Sequence, residues 1–108
     1  MTELHQRVRA YLTVTFHFSD DQIDQMLPGF FDTLRDHVAT LEQAIGGEAG
    51  QLARAAHTLK GALLNLGLEP EAAIALELEE LGNAGGADPA SLTLLVRRLR
   101  DHLAMAGL

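Results

Sequence analysis

Residues 52–66 read LARAAHTLKGALLNL, and in this stretch an apolar residue returns every three or four positions. The repeating positions are Leu52, Ala56, Leu59, Leu63 and Leu66. Such a spacing keeps one face of an α-helix apolar along its whole length. The stretch therefore predicts an amphipathic helix over residues 48–66, whose leucine face packs against other helices.

A second segment with the same period begins at Ser19 and Gln22, which have the spacing of a capping box. Pro28 and Gly29 lie inside it and predict either a bent helix or two helices in series, because proline removes a backbone donor. Glycines at 46 and 47 end it. The apolar positions of this segment are Ile23, Leu27, Phe30, Leu34, Val38, Leu41 and Ile45.

Two proline-containing turns begin the remaining helices of the predicted bundle. Pro70 fits the first turn of a helix that ends between residues 82 and 86. Asp88 fits the cap of a last helix whose first turn holds Pro89. The inner positions are Ile74, Leu78 and Leu81 in the former, and Leu92, Leu95, Leu99 and Leu103 in the latter.

These segments predict an all-α fold, an antiparallel four-helix bundle with short connections. The spacing of Leu4, Val8 and Tyr11 adds a short N-terminal helix that covers one end of the bundle. At 108 residues the chain has room for one domain, which we expect to span 1–108 with the bundle core at about 19–107.

Composition and charge exclude several function classes. Eight Lys and Arg against fifteen Asp and Glu give a net charge of −7, which disfavours nucleic acid and anionic membranes as partners and favours proteins. The longest uncharged apolar run, residues 72–76, is far too short to cross a bilayer. The chain has no cysteine and no secretory signal pattern at its start, so we expect a cytoplasmic location.

His57 lies off the leucine stripe of its helix. With about 100° per residue, its side chain falls roughly 140° from the core direction, which predicts exposure. The same surface holds Ala53 one turn earlier, Lys60 and Gly61 one turn later, and Leu64 two turns later. Glycine inside a helix costs roughly 1 kcal/mol relative to alanine, so Gly61 requires a reason. Clearance beside the imidazole is such a reason.

These residue types favour a site that accepts a phosphoryl group from another protein. Histidine is mostly uncharged at neutral pH, so one ring nitrogen has a free lone pair and can act as a nucleophile without a separate base. The ammonium of Lys60 would stabilise the negative charge of the incoming phosphoryl group. The alternative is a solvent-exposed His57 beside an ordinary surface lysine, and Gly61 in the same string favours the phosphoryl site.

The string His57-Thr58-Leu59-Lys60-Gly61, followed by Asn65-Leu66-Gly67, resembles the signature of histidine-containing phosphotransfer (HPt) domains. These domains are the intermediates of bacterial multistep phosphorelays. The resemblance implies a four-helix bundle whose exposed histidine takes a phosphoryl group from one receiver-domain aspartate and passes it to another. It implies His57 as the phosphoacceptor, Lys60 as its electrostatic support and Gly61 as the clearance position.

The resemblance also implies the partners, which are response-regulator receiver domains and a hybrid sensor histidine kinase. It implies a monomeric phosphocarrier without kinase activity or a cofactor of its own, with Mg²⁺ bound only by the receiver. The family commonly has small residues after the motif glycine, whereas Leu64 is bulky here. We interpret Leu64, together with Ala53 and Arg54, as part of a receiver docking surface.

Two alternatives stay open at this point. One is a dimerisation fragment of a histidine kinase, which is disfavoured because Thr58 rather than an acidic residue follows the histidine and no proline occurs before Pro70. The other is a helical adaptor that docks receivers without transferring phosphate. Outside the motif, we expect a solvated face at Glu77, Glu79 and Glu80, and ordinary, partly exposed histidines at His5, His17, His37 and His102.

Overall fold

In a computed structural model the protein folds into α-helices joined by short connections. The structure describes residues 3–85 and 88–104, and within these ranges it contains five helices and no strand, which confirms the all-α prediction. The helices are α1 (Glu3–Phe16), α2 (Asp20–Ala44), α3 (Ala49–Leu64), α4 (Glu69–Ala84) and α5 (Pro89–Ala104). Gly86, one limit of the predicted third bundle helix, and the predicted core residues 105–107 lie outside the described residues.

The helix boundaries follow local capping chemistry. The Ser19 hydroxyl accepts a hydrogen bond from the Gln22 amide at 3.2 Å, and the Gln22 side chain accepts one from the Ser19 amide at 2.9 Å, so the capping box forms. The Asp88 carboxylate accepts from the Ala90 amide at the start of α5. Pro28 does not divide its segment into two helices in series, because α2 is one continuous helix of 25 residues.

The core lies between the inner faces of all five helices. Its largest fully buried side chains, with less than 2% exposure, include Ile23, Leu34, Leu41, Leu59, Leu63, Leu78 and Leu99. Phe31 is buried in α2, whereas the prediction chose Phe30, which is only partly buried. Both positions lie three or four residues from Leu27 and Leu34, so helical spacing does not distinguish them. Leu81, Leu95 and Ile45 are also only partly buried, and Val96 joins the core unpredicted.

Helix α1 has Leu4, Val8 and Leu12 buried. Its ion pairs reach the start of α2 and the start of α4, so it covers one end of the bundle, as predicted. Leu12 takes the inner position that the prediction gave to Tyr11, which is half-buried. The His5 ring contacts the ring of Phe31 edge-on, with 4.5 Å between the ring centroids. No helix of the described ranges has both the length and the apolar character needed to cross a membrane.

Helices α3 and α4 form an antiparallel hairpin that positions the candidate site. A Cβ atom at Gly82 of α4 would lie 2.8 Å from the Ala53 amide nitrogen of α3, so glycine is needed for the two backbones to approach. At the other end, Gly67 turns the connection with φ of +73°. The prediction extended α3 to Leu66; α3 ends at Leu64, and Leu66 is buried just beyond it.

Candidate functional site

The imidazole of His57 lies on the outside of α3, where its side chain is 67% exposed. Its sequence neighbours on the leucine stripe, Ala56 and Leu59, are fully buried. The amphipathic pattern that fixes those two residues inward therefore orients His57 outward. The structure places the ring on the surface, as its angular offset from the stripe predicts.

A carboxylate from α4 joins His57 to Lys60. The Oε2 atom of Glu79 lies 2.8 Å from Nδ1 of His57, and its Oε1 atom accepts a hydrogen bond from Nζ of Lys60 at 2.7 Å. The side chains of Glu79 and Lys60 are 17% and 23% exposed, so both are largely covered while the imidazole faces water. The three residues form one hydrogen-bonded cluster across the α3–α4 interface.

The charge on Glu79 determines which nitrogen of the His57 imidazole carries the proton. The hydrogen bond from Lys60 is the main cause that lowers the pKa of Glu79 from its ordinary value, partial desolvation opposes it, and the bond from His57 adds to the lowering. Glu79 is therefore ionised at neutral pH and can only accept hydrogen bonds. Nδ1 of His57 must then carry the proton that it donates, which leaves the lone pair of a neutral ring on Nε2.

Gly61 leaves open space next to the histidine. A Cβ atom at this position would meet no atom within 4 Å, so close helix packing does not explain the glycine. The residue lines a surface depression between α2 and α3 together with His57, Phe30 and His37. On the α4 side of His57, a second depression includes Glu79 and Asn83 in its walls. The ring thus projects between two open depressions.

The three residues predicted for docking lie in different environments. Arg54 is exposed one turn before His57, and Leu64 is exposed to 45% two turns after it. The prediction of an exposed Ala53 is wrong, because Ala53 is only 7% exposed. The backbone of Gly82 lies against it in the α3–α4 interface, and Ala53 lies in the wall of the depression on the α4 side of His57.

Glu79 was assigned by its sequence context to a solvated acidic face, and this assignment is wrong. Glu77 and Glu80 are exposed, but Glu79 is partly covered and bonded to two residues of the site. The usable signal was the antiparallel hairpin: residues at similar distances before and after the connection lie opposite each other, which pairs α4 near Glu79 with α3 near His57. In residues 3–85 and 88–104 no group of three or more potential metal ligands occurs.

The fold and site together define a helical bundle that displays a histidine beside a paired lysine and glutamate. The family model of the Hpt domain matches residues 25–106, which includes the whole site. The chain belongs to the Hpt domain family, and this places it in histidine phosphotransfer of two-component signalling. Neither the curated proteins nor the solved structures contain a significant match to it.

Proposed function

We propose that this protein carries a phosphoryl group between receiver-domain aspartates in a multistep phosphorelay, with a phosphohistidine at His57 as the intermediate. The observation that supports the proposal is the solvent-facing imidazole whose Nδ1 is bonded to ionised Glu79. This arrangement leaves Nε2 as the nucleophilic atom.

The transfer step balances without an external base. The lone pair of Nε2 attacks the phosphorus of a receiver aspartyl phosphate, an N–P bond forms, and the P–O bond to the aspartate breaks with its electron pair returning to the carboxylate. Nδ1 keeps its proton, so the phosphorylated ring carries a positive charge, which the adjacent Glu79 carboxylate stabilises. The reverse step releases a neutral imidazole, so the same geometry serves uptake and delivery.

Lys60 and Gly61 support this step in different ways. The Lys60 ammonium lies within hydrogen-bonding distance of Glu79 on the same surface, where it can approach the phosphoryl oxygens by rotation of its flexible side chain. Gly61 leaves room for the phosphoryl group and the partner surface. Arg54 and Leu64 contribute a charge and an apolar contact to receiver docking.

The partners in this proposal are response-regulator receiver domains and the receiver of a hybrid sensor histidine kinase. Mg²⁺ is needed for the transfer and is held by the receiver's carboxylates. The carrier acts as a monomer in the cytoplasm, has no kinase activity of its own and is not labelled by ATP alone. All these statements are predictions that follow from the proposed role.

The direct test incubates the protein with a receiver domain carrying a labelled aspartyl phosphate in the presence of Mg²⁺. We expect label on the wild type and none on His57→Gln. The matched control is His37→Gln, because His37 lies in the wall of the same α2–α3 depression. Labelling of His57→Gln, or an unlabelled wild type across the receivers of the source organism, would overturn the proposal.

The position of the phosphoryl group on the ring provides a second readout. NMR of the labelled protein distinguishes the two phosphorylated nitrogens, and we expect substitution at Nε2 with a proton on Nδ1. Glu79→Gln removes the acceptor charge while keeping the side-chain shape, and we expect slower labelling because the favoured ring tautomer is no longer fixed. Substitution at Nδ1 in the wild type would contradict the assigned geometry.

A further inference from the structure

A second carboxylate of α4 is buried at the end of the bundle remote from Gly82. Glu71, in the first turn of α4, is 1% exposed. Its Oε1 accepts a hydrogen bond from Nη2 of Arg7 at 2.9 Å, and its Oε2 accepts one from Nη1 of Arg7 at 3.3 Å and lies 3.1 Å from Nδ1 of His102. A buried charge is strongly unfavourable without such partners. The carboxylate therefore depends on α1 and α5 being in place.

Helix α1 makes a second close contact nearby. A Cβ atom at Gly67 would lie 2.4 Å from Cγ of Tyr11, so the tyrosine ring packs directly on the backbone of the α3–α4 connection. Only a residue without a side chain leaves space for this ring, and the positive φ at Gly67 adds a second requirement for glycine. The residues contacted by Arg7 and Tyr11 both lie at the connection end of the hairpin.

These two contacts act on the hairpin that carries the candidate site. Gly82 fixes the distance between α3 and α4 at one end, Gly67 and Glu71 lie at the other, and Glu79 lies between them. Helix α1 (Glu3–Phe16) lies entirely outside the residues 25–106 that match the family model. The residues that α1 contacts in the hairpin, Gly67 and Glu71, lie inside that match.

We propose that α1 acts as a clamp on the connection end of the α3–α4 hairpin. Arg7 of α1 binds Glu71, and Tyr11 of α1 packs on Gly67. The closed clamp holds the register of α3 and α4 that brings Glu79 to His57. Arg7 and Glu71 are positioning residues in this scheme, since neither touches the imidazole. The proposal depends on the fold alone and does not require that His57 is phosphorylated.

Two arginines of α1 that contact different helices allow a specific test. Arg7 binds α4, whereas Arg9 forms ion pairs with Asp20 and Asp24 of α2. Arg7→Gln opens the clamp, and Arg9→Gln removes ion pairs with exposed carboxylates from the same helix without removing a contact to the hairpin. The full chain is used in both variants, and Tyr11→Ala provides a third variant that changes no charge.

Hydrogen exchange and ¹⁵N NMR of His57 are the two readouts. In Arg7→Gln we expect exchange about tenfold faster in residues 65–72, as for loss of a charge-assisted hydrogen bond, and a shift of the His57 ring signals away from the Nδ1–H form. Tyr11→Ala should change the same signals, and Arg9→Gln should leave them as in the wild type.

Two results would overturn the clamp. One is that Arg7→Gln and Tyr11→Ala leave both the exchange of residues 65–72 and the His57 ring signals unchanged. The other is that Arg7→Gln and Arg9→Gln accelerate exchange equally in every helix, since that is a general loss of stability. A protein that is never labelled by a receiver but shows the expected exchange pattern would refute phosphoryl transfer and leave the clamp intact.

Discussion

Helix α4 carries two glutamates that are bonded in the same manner but differ in burial. Glu71 accepts from Arg7 and contacts Nδ1 of His102, whereas Glu79 accepts from Lys60 and contacts Nδ1 of His57. The side chain of Glu71 is 1% exposed and that of Glu79 is 17% exposed. Each carboxylate thus joins one cation and one imidazole, and burial is what separates them.

The difference shows how one residue pattern serves stability in one place and chemistry in another. Around Glu71 the carboxylate has no access to water, so its bonds hold three helices together. Around Glu79 the imidazole partner faces solvent, so the bonds orient a ring that another molecule can reach. Truncation of Glu71 should therefore affect folding, and truncation of Glu79 should affect the reactivity of His57.

Glu71→Ala is the change with the largest expected effect. Removing the carboxylate leaves the Arg7 guanidinium and the His102 imidazole without their acceptor, and we expect unfolding to become easier by about 2–4 kcal/mol. Urea denaturation at neutral pH measures this change. The paired control is Glu79→Ala, which should leave the urea midpoint nearly unchanged. Equal losses of stability in the two variants would contradict the distinction by burial.

Lys60→Ala is expected to slow phosphoryl transfer on the order of tenfold without changing the fold. The effect should be smaller than the 10²–10³ typical of an enclosed donor, because Lys60 is partly solvated and screened. Single-turnover labelling by a phosphorylated receiver gives the rate. Arg54→Ala serves as the comparison: it should raise the receiver concentration needed for half-maximal rate and leave the maximal rate intact. If Arg54→Ala, and not Lys60→Ala, lowered the maximal rate, Arg54 rather than Lys60 would support the transfer step.

The pH dependence of stability should also show the contribution of ionised Glu71. Burial opposes ionisation of this carboxyl, but the hydrogen bonds from Arg7, its own amide and His102 outweigh burial and hold its pKa below the ordinary 4.5. A lowered folded-state pKa stabilises the fold fully above the unfolded value and progressively less as the pH falls through the folded value. Urea midpoints from pH 7 to pH 3 should therefore fall more steeply for the wild type than for Glu71→Gln. Parallel curves would show that Glu71 does not contribute.

Much of the helical architecture was predictable because apolar spacing, proline and capping residues act locally. The capping box at Ser19 and the turn at Asp88 formed at the predicted residues. The choice between Phe30 and Phe31 was not predictable, since both satisfy the helical period. The structure resolves it through tertiary packing, in which α1 brings His5 against Phe31.

The site was predictable only on one helix. The outward orientation of His57 follows from the stripe of α3, and the role of Gly61 as a clearance position stays a prediction. To predict the burial of Glu79 and Ala53, one needs the distance between α3 and α4, which the glycine at 82 shortens. Inter-helix distance is a property of two packed surfaces, so neither the covered Glu79 nor the buried Ala53 could be derived from one helical face.

The smallest expected effect concerns a third glutamate and tests whether burial, rather than hydrogen-bond distance, governs the comparison. Both oxygens of Glu42 accept from Nη1 of Arg100, at 2.7 and 2.9 Å, which are no longer than the 2.9 and 3.3 Å between Glu71 and the two Nη atoms of Arg7. The Arg100 and Glu42 side chains are 57% and 38% exposed, so water and salt compete with the pair. Arg100→Gln should therefore reduce stability by about 0.2–1 kcal/mol, and by less at high salt. If urea denaturation gave a loss as large as that of Glu71→Ala, short hydrogen bonds would explain both glutamates and burial would not.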